Sequence, residues 1–337
     1  MEMLTIDGGA RADGGRELVS VLRADGSADP EADPKLDRDR LVALYEAMLR
    51  TRVVGERLRA LSEHGRIGFL PWAPGAEAAV VGATFALREQ DWIFPALGDF
   101  GAALARGMPI PTLARRAFGG ASDPLKGRGL PGDLCARPLR IAPSSAPAAT
   151  HLPHAVGAAW SARYRGEDAA AAAFFDACEI DAADFHTGLN FAGVMRAPVV
   201  FACRVREGEE SAAEHAVAYG LRSARVDGSD ALAVVRAVSD ALAAALEGAG
   251  ATVIDLVLGG PDEALDRARA HLVRLGAWSD ERERELRRRT EEELASATDL
   301  ASREGPPAPS TIFDDVFSRP APEHERQRAE LARAPRR

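Results

Sequence analysis

The stretch from Asp168 to Val205 constrains the fold more than any other part of the chain. Ala169 to Phe175 is an unbroken apolar run of strand length. Asp181 to Met195 carries Phe185, Leu189, Phe191 and Val194 at near-helical spacing, and Pro198 to Ala202 is apolar and β-branched again. A strand, a helix and a second strand in that order form a unit of a parallel sheet, because parallel strands need a crossover between them. In open sheets of this kind ligands bind outside the carboxyl ends of the strands. The turns after Phe175 and after Cys203 are therefore where chemistry is expected.

On either side of this unit the pattern continues. Leu41, Leu44, Tyr45, Met48, Leu49, Val53, Leu58 and Leu61 mark a long amphipathic helix beginning near Asp37. Helices are expected over Glu77 to Leu87, Gly101 to Met108, Pro111 to Phe118 and His154 to Tyr164, with a short strand at Asp91 to Pro95. Gly119 to Pro147 is proline- and glycine-rich and reads as a long ordered loop, of the kind that usually carries function. Behind the central unit come a helix (Ala212 to Tyr219), a strand (Ser223 to Val226), a helix (Ala231 to Leu246) and a buried strand (Thr252 to Leu258). Helices follow at Leu265 to Leu275 and Asp280 to Leu300. Residues 1–36 read as a mobile arm, 37–317 as one α/β domain and 318–337 as a tail. Gly157, Ala158, Ala159 and Ala162 would let another helix approach closely, inside the subunit or across an interface.

With 337 residues the chain has room for a large core. Its net charge of -9 and the absence of a basic stripe argue against nucleic acid as a partner, since the basic run Arg282 to Arg289 is interleaved with Glu. Cys135, Cys178 and Cys203 lie far apart without metal spacing, which favours a reduced, cytoplasmic setting. The beginning is acidic rather than basic then apolar, so no signal peptide is expected, and no run is long enough to span a bilayer.

Several stretches in order resemble a known family: Gly65-Arg66-Ile67-Gly68-Phe69, Asp91-Trp92-Ile93-Phe94-Pro95, and Gly101 through Met108. Asp123-Pro124-Leu125-Lys126-Gly127-Arg128, Pro153-His154-Ala155-Val156-Gly157-Ala158-Ala159, and Asp184-Phe185-His186 through Asn190-Phe191-Ala192 continue it. Arg225-Val226-Asp227-Gly228 and Phe313-Asp314-Asp315-Val316 extend it to about Phe317. The chain resembles the alpha subunit of the thiamine-diphosphate-dependent decarboxylating component of 2-oxoacid dehydrogenase complexes. The resemblance implies a doubly wound parallel sheet with helices on both faces, in a heterotetramer with a beta-type subunit; a homodimer is the other assembly expected. It also implies thiamine diphosphate and magnesium held between alpha and beta subunits, decarboxylation of a 2-oxoacid, and acyl transfer to a lipoyl domain.

The positions to which the resemblance assigns cofactor contacts carry the wrong chemistry. Magnesium takes hard oxygen ligands. The family's Gly-Asp-Gly turn falls on Asp176, Ala177 and Cys178, so the ligand position holds Ala177. A one-residue slip would bring Asp176 onto the metal. The Asn-Asn-Gly-Tyr segment falls on Val205, Arg206, Glu207 and Gly208, which sets a cation, Arg206, at a cation's ligand and leaves at most the carbonyl of Gly208. The Tyr-Arg pair that contacts the phosphates becomes Leu97 and Gly98, a loss of about 1.5–3 kcal/mol per charge-assisted bond. Two histidine positions hold Phe100 and Asp133, and the leucine that shapes the bent cofactor is Ala148. After Leu256-Val257-Leu258, the loop with the family's catalytic histidine is missing, and Gly259-Gly260-Pro261 leads straight into a helix.

No catalytic residue, metal ligand or cofactor is therefore expected, and the chain reads as a non-catalytic structural or regulatory alpha-type subunit. The alternatives are an active dehydrogenase with a rearranged site and a binding module that uses the emptied crevice. His154 and His186 read as packing or interface residues, His64 and His151 remain unplaced, and Cys178 reads as a small buried residue with a reactive thiol as the alternative. Asp176, Glu179 and Asp181 are a candidate metal cluster, set against a solvated loop in which Asp181 caps the next helix.

Overall fold

The apolar runs assemble into one sheet. The computed structural model describes residues 18–144 and 146–333. In it, β1 (Trp92–Phe94), β2 (Ala171–Asp176), β3 (Val199–Val205), β4 (Arg222–Asp227) and β5 (Thr252–Val257) lie in the spatial order β1-β2-β3-β5-β4. Every pairing is parallel, with Ala171 opposite Val199 and Phe175 opposite Cys203. In chain order the helices are α1 (Arg38–Glu63), α2 (Ala83–Ala86), α3 (Phe100–Ala105), α4 (Ile110–Phe118), α5 (His151–Tyr164) and α6 (Ala183–Met195). They continue with α7 (Ala212–Ala216), α8 (Ala231–Ala244), α9 (Glu263–Arg274), α10 (Asp280–Arg303) and α11 (Pro322–Arg333). None of them is long and apolar enough to cross a membrane.

Because side chains alternate along a strand, the sheet feeds two cores. Ala172, Phe174, Val200, Ala202, Ile254 and Leu256 face a layer built from α1, α2, α8 and α9. Ala171, Ala173, Phe175, Val199, Phe201 and Cys203 face α5, α6 and α7. This is the doubly wound arrangement expected from the sequence. A third core joins the end of α1 to α3, α4 and α10. Both sheet edges are covered: Ile93 exchanges backbone hydrogen bonds with Arg140 and Ala142, and Val19 does so with Arg225 and Asp227.

Local signals placed most boundaries. Asp37 caps α1, its carboxylate accepting from the Arg40 N–H at 2.8 Å. The long loop between α4 and α5 is ordered by a buried ion pair, Arg116 to Asp123 at 2.8 Å, whose carboxylate also accepts from the N–H groups of Leu125 and Gly127.

Three expectations need correction. The part of the expected arm that is described is packed: Val21 and Leu22 are buried, and their N–H groups donate to Asp230 at the start of α8; residues 1–17 lie outside the described residues. The helix expected from Glu77 opens as a single π turn, Ala78–Gly82, before α2. Asp181 does not cap α6, whose N-cap is Ala182. The small-residue stripe divides, Ala159 and Ala162 facing the core while Gly157 faces outward with nothing within 4 Å of an added Cβ.

Candidate cofactor crevice

The turns after β2 and β3 do form one wall of a crevice. A cavity of about 450 Å³ opens there, and Asp176, Cys178, Arg204 and Arg206 line it. The segment after β1 supplies Leu97, Gly98 and Asp99, and the approach to α2 supplies Trp72, Glu77 and Val80. The wall is apolar along Pro71, Trp72, Val80, Leu97 and Leu258, and charged at its strand end.

Arg204 dominates that end. It is the one charged residue of β3, a strand buried along its whole length. Its guanidinium donates to both oxygens of Asp176, at 2.7 and 2.8 Å, and to Asp99 beside the start of α3. Burial disfavours the charge on Arg204, but Asp99 and Asp176 outweigh it and hold the guanidinium firmly protonated. Burial raises the pKa of Asp99, and nearby Asp176 adds to the rise. A second network lies beside the first. Arg52 of α1 forms a fork on Glu77, at 2.7 and 3.1 Å, and reaches Asp262 at 2.6 Å beyond β5.

The other positions scatter. Gly98 has φ 95, and a Cβ there would sit 2.2 Å from the Pro71 carbonyl oxygen, so the backbone itself fills the place of a side chain. Phe100 is fully buried in the third core, behind the cavity-lining Trp72 at 6.1 Å between ring centroids. Asp133 accepts from the Ser144 hydroxyl at 3.0 Å, while its neighbour Gly132 accepts from the Gly98 N–H at 3.3 Å. Ala148 is exposed, Ala177 is buried in a short 3-10 turn, and Gly208 sits in an exposed turn with φ 85. Arg206 is on the rim, where its N–H donates to Glu209 at 2.7 Å.

The acidic cluster divides in the same way. Glu179 is occupied by the N–H groups of Asp176 and Ala149, and Asp176 by Arg204. Among the described residues no group of three or more His, Cys, Asp or Glu side chains is arranged to hold a metal ion.

The thiol of Cys178 is exposed at the cavity, yet partial burial and then Asp176, Glu179 and Glu209 raise its pKa. It stays a thiol, so the reactive alternative has no electrostatic support.

Three of the four histidines singled out from the sequence make hydrogen bonds within the fold. His154 is exposed, and His64 Nδ1 reaches the Ala60 carbonyl at 2.6 Å. His186 Nδ1 meets the Tyr219 hydroxyl at 2.6 Å. His151 is buried, with Nε2 donating to the Phe174 carbonyl at 2.7 Å. The side chains that set the crevice's character, Arg204, Asp99, Arg52 and Glu77, were not singled out from the sequence. One signal was present: a lone arginine inside the apolar run Val199 to Val205, since a buried charge demands a partner.

A doubly wound parallel sheet with a crevice at the carboxyl ends of its central strands is an α/β ligand-crevice protein. The chain belongs to the dehydrogenase E1 component family, whose model matches residues 45–258. It groups with the alpha subunits of the thiamine-diphosphate-dependent 2-oxoacid dehydrogenases. It is 33% identical over 314 residues to the 2-oxoisovalerate dehydrogenase subunit alpha of Bacillus subtilis, a match covering 82% of this chain and 95% of that one. The mitochondrial 2-oxoisovalerate dehydrogenase subunit alpha 2 of Arabidopsis thaliana is 32% identical over 327 residues, covering 87% of this chain and 69% of that one. The corresponding Pseudomonas aeruginosa alpha subunit is 30% identical over 356 residues, covering 93% and 87%.

Proposed function

We propose that this chain is an alpha-type subunit that has lost thiamine diphosphate and magnesium binding and acts as a structural or regulatory subunit beside a beta-type chain. One observation carries the reading: a guanidinium, Arg204, occupies the carboxylates at the strand end of the crevice. The slip that would free Asp176 for a metal meets this bond, because both of its oxygens already accept from Arg204. Ala177 offers no donor atom, and Arg206 is a cation on the same rim. The place of a phosphate-binding arginine is closed by the approach of the Pro71 carbonyl to Gly98. Glu77, Asp99, Asp176 and Glu209 all line the cavity, so a diphosphate without its metal would meet carboxylates in a partly desolvated site. This donor set does not fit the magnesium–diphosphate group.

A partner is supported on separate grounds. Trp160 and Tyr164 of α5, Phe191 and Val194 of α6, and Val217 beyond α7 are large apolar residues left exposed on one layer of the molecule. Trp160 and Tyr164 stack on each other at 5.6 Å, and exposed apolar side chains of this size are contacts a partner could use. Relatives named as alpha subunits point to a beta-type chain as the partner.

Calorimetric titration of the complex of this chain with a beta-type subunit, using thiamine diphosphate and magnesium, tests the proposal. No saturable heat is expected up to millimolar cofactor. Micromolar binding together with 2-oxoacid-dependent reduction of an artificial acceptor would establish the rival reading, an active dehydrogenase with a rearranged site.

A further inference from the structure

We propose that the link Gly259 to Asp262, between β5 and α9, is a strap held permanently against the crevice rim, with Arg52 as its latch. The strap lies at the cavity because Leu258, which leads into it, lines the wall, and because the Cα of Pro261 sits 3.3 Å from a Cβ placed on Gly75. Gly75 in turn donates its N–H to Glu77, a cavity residue, at 2.9 Å.

Arg52 ties these parts together. It is buried in α1, and its fork on Glu77 fixes the orientation of the guanidinium. The remaining N–H groups reach outward to the Asp262 carboxylate at 2.6 Å and to the Pro261 carbonyl. A planar guanidinium suits this task, because its donors point in set directions and one residue can grip a buried carboxylate and a loop together. Lysine has no such fork.

The strap is also closed from its own side. The Gly259 N–H donates to the Ser229 hydroxyl at 2.8 Å, and the Gly260 N–H donates to the Glu263 carboxylate at 3.1 Å. Upstream, the Leu258 N–H donates to the Val205 carbonyl at 2.8 Å, continuing the β3–β5 ladder up to the strap. Each of the two glycine amides therefore has a partner, and the carbonyl and carboxylate that follow are held by one buried side chain. A link with so few residues and so many anchors closes without any ligand. The inference stands on these contacts and does not depend on whether the crevice binds thiamine diphosphate.

Hydrogen–deuterium exchange on the full chain tests it, read over the amides of residues 258–263. Protection of the Gly259 and Gly260 amides by at least about a hundredfold over an unstructured chain is expected, because both, though at the surface, donate to side chains of the folded chain. The Asp262→Ala variant removes a partner whose side chain is 72% exposed, so the fold should survive the change. It is expected to speed exchange in the strap about tenfold while β5 is unchanged, and Arg52→Lys is expected to do so more strongly.

Strap exchange at unstructured rates in the unmodified chain would overturn the proposal. So would strap exchange indifferent to both substitutions. Repeating the experiment with thiamine diphosphate and magnesium separates this inference from the preceding one. Equal protection with and without cofactor is the expected result, even if calorimetry were to detect binding; protection that appears only with cofactor would show a gated loop and refute the strap.

Discussion

Arg204 brings a charge into a strand that is otherwise apolar, and its neighbours decide whether that is tolerable. A buried guanidinium without partners would cost several kcal/mol, and two carboxylates offset this. Arg204→Met is expected to cost about 3–5 kcal/mol in urea denaturation, because it leaves Asp99 buried and without a counter-charge. Asp176→Asn is expected to cost about 1 kcal/mol or less, since that side chain is 48% exposed and its amide oxygen still accepts. The cost of Arg204→Met also depends on pH. Burial already raises the Asp99 carboxyl from 3.8, and losing Arg204 removes the influence that opposes the rise. A carboxyl raised in the folded state costs stability progressively as the pH climbs from the unfolded value of 3.8 to its own folded value, and the full loss persists above that. The variant's deficit therefore grows as the pH rises above 3.8. A deficit that is flat with pH would mean that Asp99 is not the group left stranded. This triad was beyond reach of the sequence, because Asp99 and Arg204 stand 105 residues apart and only the sheet brings them together. What the sequence offered was an expectation about the site drawn from residue types alone. Ala177, Gly98 and Arg206 could be read as missing donors without knowing what had replaced them.

At the scale of elements, one carboxylate meets side chains from both α1 and α9 at their joint with α10. Glu283, in the first turn of α10, accepts from the Tyr45 hydroxyl at 2.8 Å, the Trp278 indole N–H at 3.1 Å and Arg269 at 3.1 Å. Burial works to raise its pKa, but the hydrogen bonds from Tyr45 and Trp278, with Arg287 and Arg269, outweigh it and bring the carboxyl below 4.5. A depressed carboxyl stabilises fully above its unfolded value and loses that stabilisation as the pH falls through the folded value. Glu283→Gln is accordingly expected to lower stability at neutral pH by about 1.5–3 kcal/mol, the range for hydrogen bonds to a charged group. The gap between the variant and the parent should close when urea melts are repeated well below pH 4.5. The helices and strands themselves were legible, because apolar runs and 3.6-residue spacing report burial directly. Less legible were features that depend on distant packing. Val21 and Leu22 sit in a glycine- and aspartate-rich segment, and their order comes from distant partners, the buried Asp230 carboxylate 209 and 208 residues away and the pairing of Val19 with β4. The π turn at Ala78–Gly82 is similar: Gly82 lies where a Cβ would be 3.2 Å from the Ala231 carbonyl oxygen, a closeness that no local pattern announces.

For the molecule as a whole, the question is whether its shape depends on anything outside the chain. The charges lining the crevice are largely neutralised from within, Arg204 by Asp99 and Asp176 and Arg52 by Glu77 and Asp262. Both sheet edges are covered by the chain's own segments, and the strap closes beside β5 without assistance. A crevice built around a metal and a diphosphate would lose those charges on removal of the cofactor, and its surrounding loops would lose their anchors. Here the anchors are covalently part of the chain. The proposed association with a beta-type subunit should therefore be indifferent to the cofactor. Co-expressed chains, purified and dialysed against a chelator without thiamine diphosphate, are expected to keep the same sedimentation coefficient and the same melting temperature as chains kept with both. A ligand that bound the folded state at a hundred times its Kd would add about 2.7 kcal/mol and shift the melt visibly, so the comparison is sensitive. Dissociation on chelation, reversed by restoring magnesium and the diphosphate, would mean that the two cofactors still hold the assembly together and that internal ion pairing had not taken over their role.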